Sequence, residues 1–394
     1  MINSEERKRT IHIFALASFL NDFGSDIIYP IWPLFVREFL GANMMVLGFI
    51  DGLGDAIVSI SQAISGYISD RIRRRKVFIW TGYTLGVVSR IGYAVSSVWP
   101  HLIPFRIMDR AGKIRSAPRD AIIADLSSDQ DRGKNFGLLR AMDNLGAVCG
   151  IIFCILMFRS LGYRNLFLIA ALPTVIGIIL ILSSIHESKP AEGKIYKGIR
   201  FSALSYNFRI FLILSAIFAL GAFSYSFLLI YAKEFGFQRF TLPILYLIFT
   251  AIASIFSIPM GRFSDRIGRK SVIFLAYLLW VLVCLCLIIA HKVILVIIAF
   301  IFYGLHRAAL EPVQRSFIAE LTPIEYRASG LGGFQMVIGL CALPASFIAG
   351  ILWDRINLYA PLYFSIGLTV ISSLLLILVK REPSRNMVDR RSGK

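Results

Sequence analysis

Apolar residues run in long blocks from one end of the chain to the other, separated by short polar stretches that are mostly basic. A helix that crosses a bilayer needs about 20 predominantly apolar residues, and twelve blocks meet that length. They predict spans at 11–39, 46–68, 77–97, 101–124, 133–158, 165–185, 210–232, 241–260, 272–290, 293–318, 328–352 and 359–379. The longest non-membrane stretch, 186–209, is polar and basic and divides the chain into two sets of six: 1–185 and 210–394. The pattern therefore predicts an all-α membrane protein of twelve transmembrane helices in two six-helix bundles.

Composition agrees: 57% of the 394 residues are hydrophobic, and mean hydropathy is +0.70. The net charge of +18 would suggest a nucleic-acid partner in a soluble protein. Here its distribution gives another meaning. Connections on the side of the termini hold 26 Lys and Arg, whereas the opposite connections hold seven: Arg37, Arg159, Arg164, Lys233, Arg239, Lys292 and Arg355. The positive-inside rule then places both termini in the cytoplasm. The basic balance reports topology and gives no support for nucleic acid. The five cysteines sit inside apolar blocks with no CxxC pair, so neither a disulfide framework nor a zinc site is indicated. The first block is too long for a cleavable signal and carries Asn21, Asp22 and Asp26, so it reads as a retained first helix. Trp80, Trp99 and Trp353 fall near span ends, as interfacial anchors do.

An internal repeat fixes the relation between the halves. Residues 66–77 read GYISDRIRRRKV, and residues 261–272 read GRFSDRIGRKSV, an offset of 195 with seven of twelve positions identical. Ala124, Leu126 and Arg132 match Ala319, Leu321 and Arg327 at the same offset. Parallel six-helix repeats follow, related by a pseudo-twofold axis along the membrane normal. With these residues in view the chain resembles the major facilitator superfamily, whose signature after the second span reads roughly G-x-L-A-D-R-x-G-R-K. Gly66, Asp70, Arg71, Arg74 and Arg75 match it once; Gly261, Asp265, Arg266, Gly268, Arg269 and Lys270 match it again. Arg73 stands where the family usually has glycine. The resemblance implies alternating access and a gate on the cytoplasmic side built from these motif residues. Physically, the glycine admits close helix approach, the aspartate can accept from a neighbouring helix N-terminus, and the arginines pair with acidic groups or anionic membrane lipid. A basic, positive-inside turn is the plainer account of the same residues.

Charges within the spans are the candidate functional residues, because a charge at mid-bilayer costs about 2.5–3.5 kcal/mol on insertion scales and so faces a cavity or a partner. In the first span Asp22, Ser25, Asp26 and Tyr29 share one helical face. In the second, Asp51, Asp55, Ser59 and Gln62 form another stripe. In the fourth, Arg106, Asp109, Arg110, Lys113 and Asp120 fall on one arc, with Arg115 and Arg119 pointing elsewhere. Arg140 and Asp143 lie three apart in the fifth. The second half is lighter, with His306, Arg307, Glu311, Gln314 and Arg315 in the tenth span and Ser224, Tyr225 and Tyr246 in a mixed wall. A polar first half facing a more aromatic second half suits an amphipathic or ionic solute. In the family, helices one, two, four and five line the cavity of the first half.

Two readings of these charges stand side by side. One is structural: Asp22 or Asp26 pairs with Arg106 or Arg110, and Asp143 with Arg140. The other is coupling, in which protonation of a carboxylate beside a basic group breaks the pair and drives transport; Asp22 and Asp26 lead, then Asp143 and Glu311. Arg106, Arg110 and Lys113 alternatively hold an anionic solute. His306 alone reads first as a hydrogen-bonding residue. The G-x-x-x-G from Gly146 to Gly150 reads as close helix packing; its likeness to the glycine-rich signature of antiporters in the family, without that signature's proline, adds a slight preference for export.

The expected function is secondary active transport of a small organic or ionic solute, proton-coupled, as an efflux antiporter of the cell inner membrane. The alternatives are uptake by proton symport, movement of a divalent metal using Asp22, Asp26 and His306, and a receptor that keeps the scaffold without transporting. No Walker A motif or nucleophile–base arrangement is readable, so neither an enzyme nor an ATP-driven pump is expected. No cofactor or bound metal is implied, and a monomer is the expected state.

Overall fold

The computed structural model describes residues 4–72, 74–128, 131–185, 205–290, 292–323 and 326–379. The connection 186–209 lies mostly outside them. The described chain forms twelve helical passes. Helix α1 runs Ser4–Ile28 and, after a turn at 29–31, continues through Trp32–Leu34 into a wider turn at Phe35–Phe39. Then follow α2 (Met44–Ile72), α3 (Arg75–Val95), α4 (102–126), α5 (132–161) and α6 (163–184). Within α4 a tight 3₁₀ segment, Gly112–Arg115, separates Leu102–Ala111 from Ser116–Leu126. Gly162, at φ +68°, reverses the chain between α5 and α6 in a conformation that a side chain would strain.

The second half repeats this plan. Helix α7 is split into Tyr206–Gly221 and Tyr225–Glu234; α8 (Leu242–Ile267), α9 (Arg269–Ile288), α10 (Val293–Leu321), α11 (Arg327–Arg355) and α12 (Ala360–Leu378) complete it. The breaks in α1 and α7, at 29–31 and 222–224, fall within two residues of equivalent places in the two repeats. Irregular backbone at such depth persists only where it is covered by protein or lines a wet cavity.

Close helix contact follows from small residues. A Cβ on Gly146 would lie 2.4 Å from the carbonyl oxygen of Phe19, and one on Gly150 2.3 Å from that of Phe23. The G-x-x-x-G face is therefore where α5 lies against α1. Between the halves, α2 and α11 approach equally closely: Gly48 meets the Ser346 carbonyl and Gly350 meets Met44.

The repeated basic motif serves each half separately. Lys76 Nζ donates to the carbonyls of Leu182 and Ile185, and Lys270 Nζ to those of Ile377 and Val379. In both repeats a lysine at the start of the third helix thus satisfies the bare carbonyl end of the sixth, where a cation is also favoured by the helix dipole. Arg75 pairs with Asp125 at 2.5 Å, and Arg269 with Glu320 at 2.9 Å and Asp265 at 2.6 Å. Arg71, Arg74 and Arg266 are exposed, and Gly66 and Gly261 are half-buried. The side chain of Asp70 lies outside the described residues.

Candidate functional site

A cavity of about 430 Å³ lies where the halves meet. Helices α1, α2 and α4 contribute Asp26, Tyr29, Asp51, Asp55, Arg106 and Arg110; α7, α8, α10 and α11 contribute Ser224, Tyr225, Tyr246, Tyr303, Arg307 and Ser346, among others. Helix α5, expected in the lining, supplies none of the lining residues. Arg140 and Asp143 pair with one another at 3.3 Å away from the cavity, and Asp143 also accepts from Ser18 at 2.5 Å.

Asp51 is the most heavily bonded group in the site. One carboxylate oxygen accepts from Arg106 Nη2 and from the Trp32 indole, both at 2.8 Å; the other accepts from Ser224 Oγ at 2.8 Å. Arg106 also lies over the Trp32 ring, 4.4 Å from its centroid. The break in α1 turns Trp32 to this position, and the break in α7 presents Ser224, so Asp51 ties α1, α2 and α4 to the opposite half. Gly54 leaves room for both arginines: a Cβ there would come within 3.0 Å of Arg106 Nε and 3.3 Å of Arg110 Nε.

The pairing expected from the helical stripes is thereby corrected. Arg106 takes Asp51 in place of Asp22 or Asp26. Asp22 accepts from Asn21 at 2.8 Å. Asp26 is buried, and its one side-chain hydrogen bond crosses the halves to the Tyr246 hydroxyl at 3.3 Å. Arg110 stands over the Tyr29 ring at 5.1 Å, donates to its hydroxyl at 3.3 Å and lies 3.6 Å from Asp109. Lys113, on the 3₁₀ turn, is within electrostatic range of Asp22 and Asp109. Arg307 donates from Nε to Glu311 at 2.8 Å, one turn along α10.

His306 is turned out of the cavity. Its Nδ1 is 2.7 Å from the Ala276 carbonyl, and it is enclosed by Phe218, Trp280 and Tyr303. A metal set of Asp22, Asp26 and His306 does not come together, and among the described residues no group of three His, Cys, Asp or Glu does so. Arg119 faces α1 and α5, donating to Ser18 at 2.5 Å. Arg90, the exceptional charge of α3, is satisfied by Ala170, Thr174, Asn21 and Ser25 and joins α1, α3 and α6.

Among the described residues, ion pairs tie the halves together at one end. At the end remote from the termini, Arg37 pairs with Glu234 at 2.9 Å, and Glu38 pairs with Lys233. Asp354 of α11 caps α2 there, accepting from the amides of Met44 and Met45 at 3.3 and 2.8 Å. Arg37-Glu38 and Lys233-Glu234 are equivalents 196 residues apart, so the two ion pairs are reciprocal across the pseudo-twofold axis. Among the described residues no ion pair joins the halves at the opposite end.

Two six-helix repeats around a charged central cavity, tied at one end, define a multi-pass membrane transporter scaffold. The family model of the Major Facilitator Superfamily matches residues 14–229 and 210–394, and the chain belongs to that family. It is 34% identical over 388 residues to an uncharacterized MFS-type transporter of Methanocaldococcus jannaschii, covering 96% of both chains. It is 23% identical to the quinolone resistance protein NorA of Staphylococcus aureus, over 96% of this chain and 98% of that one. Among solved structures, the nucleoside transporter NupG shares the fold with a TM-score of 0.76 at 16% identity, covering 95% of this chain and all of that one. A D-xylose-proton symporter gives 0.77 at 16% identity, over 94% and 97%.

Proposed function

We propose that this transporter works by alternating access, exchanging protons for a small organic or ionic solute in the export direction. Asp26 carries the reading. It is buried at the joint between halves, and among the described residues no cation lies within ion-pair distance; its partner is a tyrosine of the other half. A buried carboxylate is retained in low dielectric against a compensating charge or as its protonated form. A proton held there in one state and released when the halves part and water reaches the carboxylate links protonation to the separation of the halves. Asp22, Asp143 and Glu311 are secondary candidates, since each already has a close polar or basic partner.

With both termini cytoplasmic, the reciprocal ion pairs close the outward side, and this state faces inward. The basic motif around Asp70 and Asp265 acts in the opposite state, as a gate on the cytoplasmic side. Similarity to proteins named quinolone resistance protein and, over 46% of the chain, citrate exporter supports export over uptake. The expected site is the inner membrane, in contact with anionic lipid at the motif arginines.

The test is solute-induced proton flux in proteoliposomes with a pH-sensitive dye inside. Wild type is expected to move protons with at least one solute class, and Asp26→Asn to lose that movement while still exchanging labelled solute. Unaltered proton flux in Asp26→Asn would refute the assignment.

A further inference from the structure

The charges that line the cavity divide into those already neutralised and those left open. Asp51 and Arg106 neutralise one another, and Arg307 is matched by Glu311. Asp26 is assigned a proton above. Among the described residues Asp55 remains unpaired, and Arg110, beside Asp109 at 3.6 Å, leaves most of its hydrogen-bond donors unused.

Arg110 is only 9% exposed, yet its guanidinium is under-used. Of its five N–H donors one reaches the Tyr29 hydroxyl, and Nε has no hydrogen-bond partner; Asp109 stands at 3.6 Å, too far to accept. A buried donor in this condition is costly unless something completes it. Asp55 is the converse. Its carboxylate is exposed to the cavity, and among the described residues it has no hydrogen bond or ion pair. Arg110 is near enough to act on it electrostatically without touching it. Opposite both stand Tyr225 and Tyr246, ring centroids 5.3 Å apart and edge to face, with Tyr303 beside them.

Resting on the transporter reading, we infer that the solute is a zwitterion with an apolar or aromatic body: its carboxylate lies on Arg110, its ammonium group on Asp55, and its body against the tyrosines. A planar guanidinium offers two parallel donors to a carboxylate and is the stronger anchor. With Asp26 protonated and Glu311 counted beside Arg307, three carboxylates (Asp51, Asp55, Glu311) stand against the three lining arginines, so a solute without net charge leaves that balance intact. The volume falls at the lower end of small-molecule pockets, about 300–1,000 Å³.

Three probes with one aromatic body separate the contributions: L-phenylalanine, 3-phenylpropanoate and 2-phenylethylamine. Equilibrium binding to the purified full chain in detergent is measured without any proton gradient. Phenylalanine is expected to bind about tenfold or more tighter than either singly charged analogue, as one further charge-assisted contact provides. Arg110→Gln should weaken phenylalanine and phenylpropanoate while leaving phenylethylamine unchanged; Asp55→Asn should do the reverse. Arg110→Lys, which keeps the charge and lacks the fork, should fall between wild type and Arg110→Gln. Equal affinity for the three probes, absence of binding by all three up to about 10 mM, or indifference of the anion to Arg110→Gln would overturn the inference. Binding that follows this pattern without coupled proton flux would refute the coupling reading alone; flux with solutes that lack one of the two charges would refute this one alone.

Discussion

If the reciprocal ion pairs close the remote end, reversing one charge should open it by a calculable amount. Glu38→Lys places a second cation opposite Lys233 and removes one of two symmetric attractions. Side-chain exposure in that pair is 23% and 36%, so solvent screens it and the pair itself is worth only about 0.2–1 kcal/mol. Adding a comparable repulsion brings the change to about 0.5–2 kcal/mol, which shifts the equilibrium between closed and open remote ends about 2- to 30-fold. The assay is a spin-label distance distribution between Val98→Cys and Ile356→Cys, exposed positions at that end on opposite halves, with the five native cysteines replaced. Glu38→Lys should increase the long-distance population, and Glu38→Lys with Lys233→Glu should restore the wild-type distribution. The shift should shrink in about 1 M salt, where screening acts within about 3 Å. An unchanged distribution in the single variant, or failure of the charge swap to restore it, would refute the clasp and leave closure to Asp354 and the α2–α11 contact.

Two further predictions concern stability. Gly150→Ala, whose methyl would meet the Phe23 carbonyl at 2.3 Å, should separate α5 from α1 at a cost of about 1–3 kcal/mol, read as a lowered melting temperature in detergent. Arg106→Met leaves Asp51 buried without its cation and should cost about 3–5 kcal/mol, whereas Arg106→Met with Asp51→Asn should recover most of the loss by the same measurement.

Span number, repeat and cavity-facing stripes were legible because each depends on residue spacing along one helix. Asp51, Asp55, Arg106 and Arg110 share their predicted faces and reach one cavity. Partner choice was not legible, because it depends on where helices bend. Trp32 completes the Asp51 site only since α1 breaks at 29–31; Pro30 and Pro33 are the signal in the sequence that could have placed it there. The break in α7 at 222–224 has no such mark, so Ser224 showed as a wall residue rather than a ligand of Asp51. In α4 Lys113 sits on the 3₁₀ turn and, like Asp109, does not reach the lining that Arg106 and Arg110 share. His306 fell on the polar face by spacing, but the Ala276 carbonyl of α9 holds it away from the cavity.

The repeat also separates what belongs to the scaffold from what belongs to the solute. Features that hold or move the halves occur twice: the lysine caps at 76 and 270, the breaks at 29–31 and 222–224, and the charge pairs at 37–38 and 233–234. The cavity chemistry does not repeat. At the 195-residue offset Asp51 and Asp55 correspond to Tyr246 and Thr250. The alternating-access motion proposed above would therefore act symmetrically on an asymmetric site, with most of the charged groups on the first half and most of the aromatic rings on the second. A solute that needs both kinds of contact is fully bound only while the halves are together around it, and this gives its binding energy leverage over their movement.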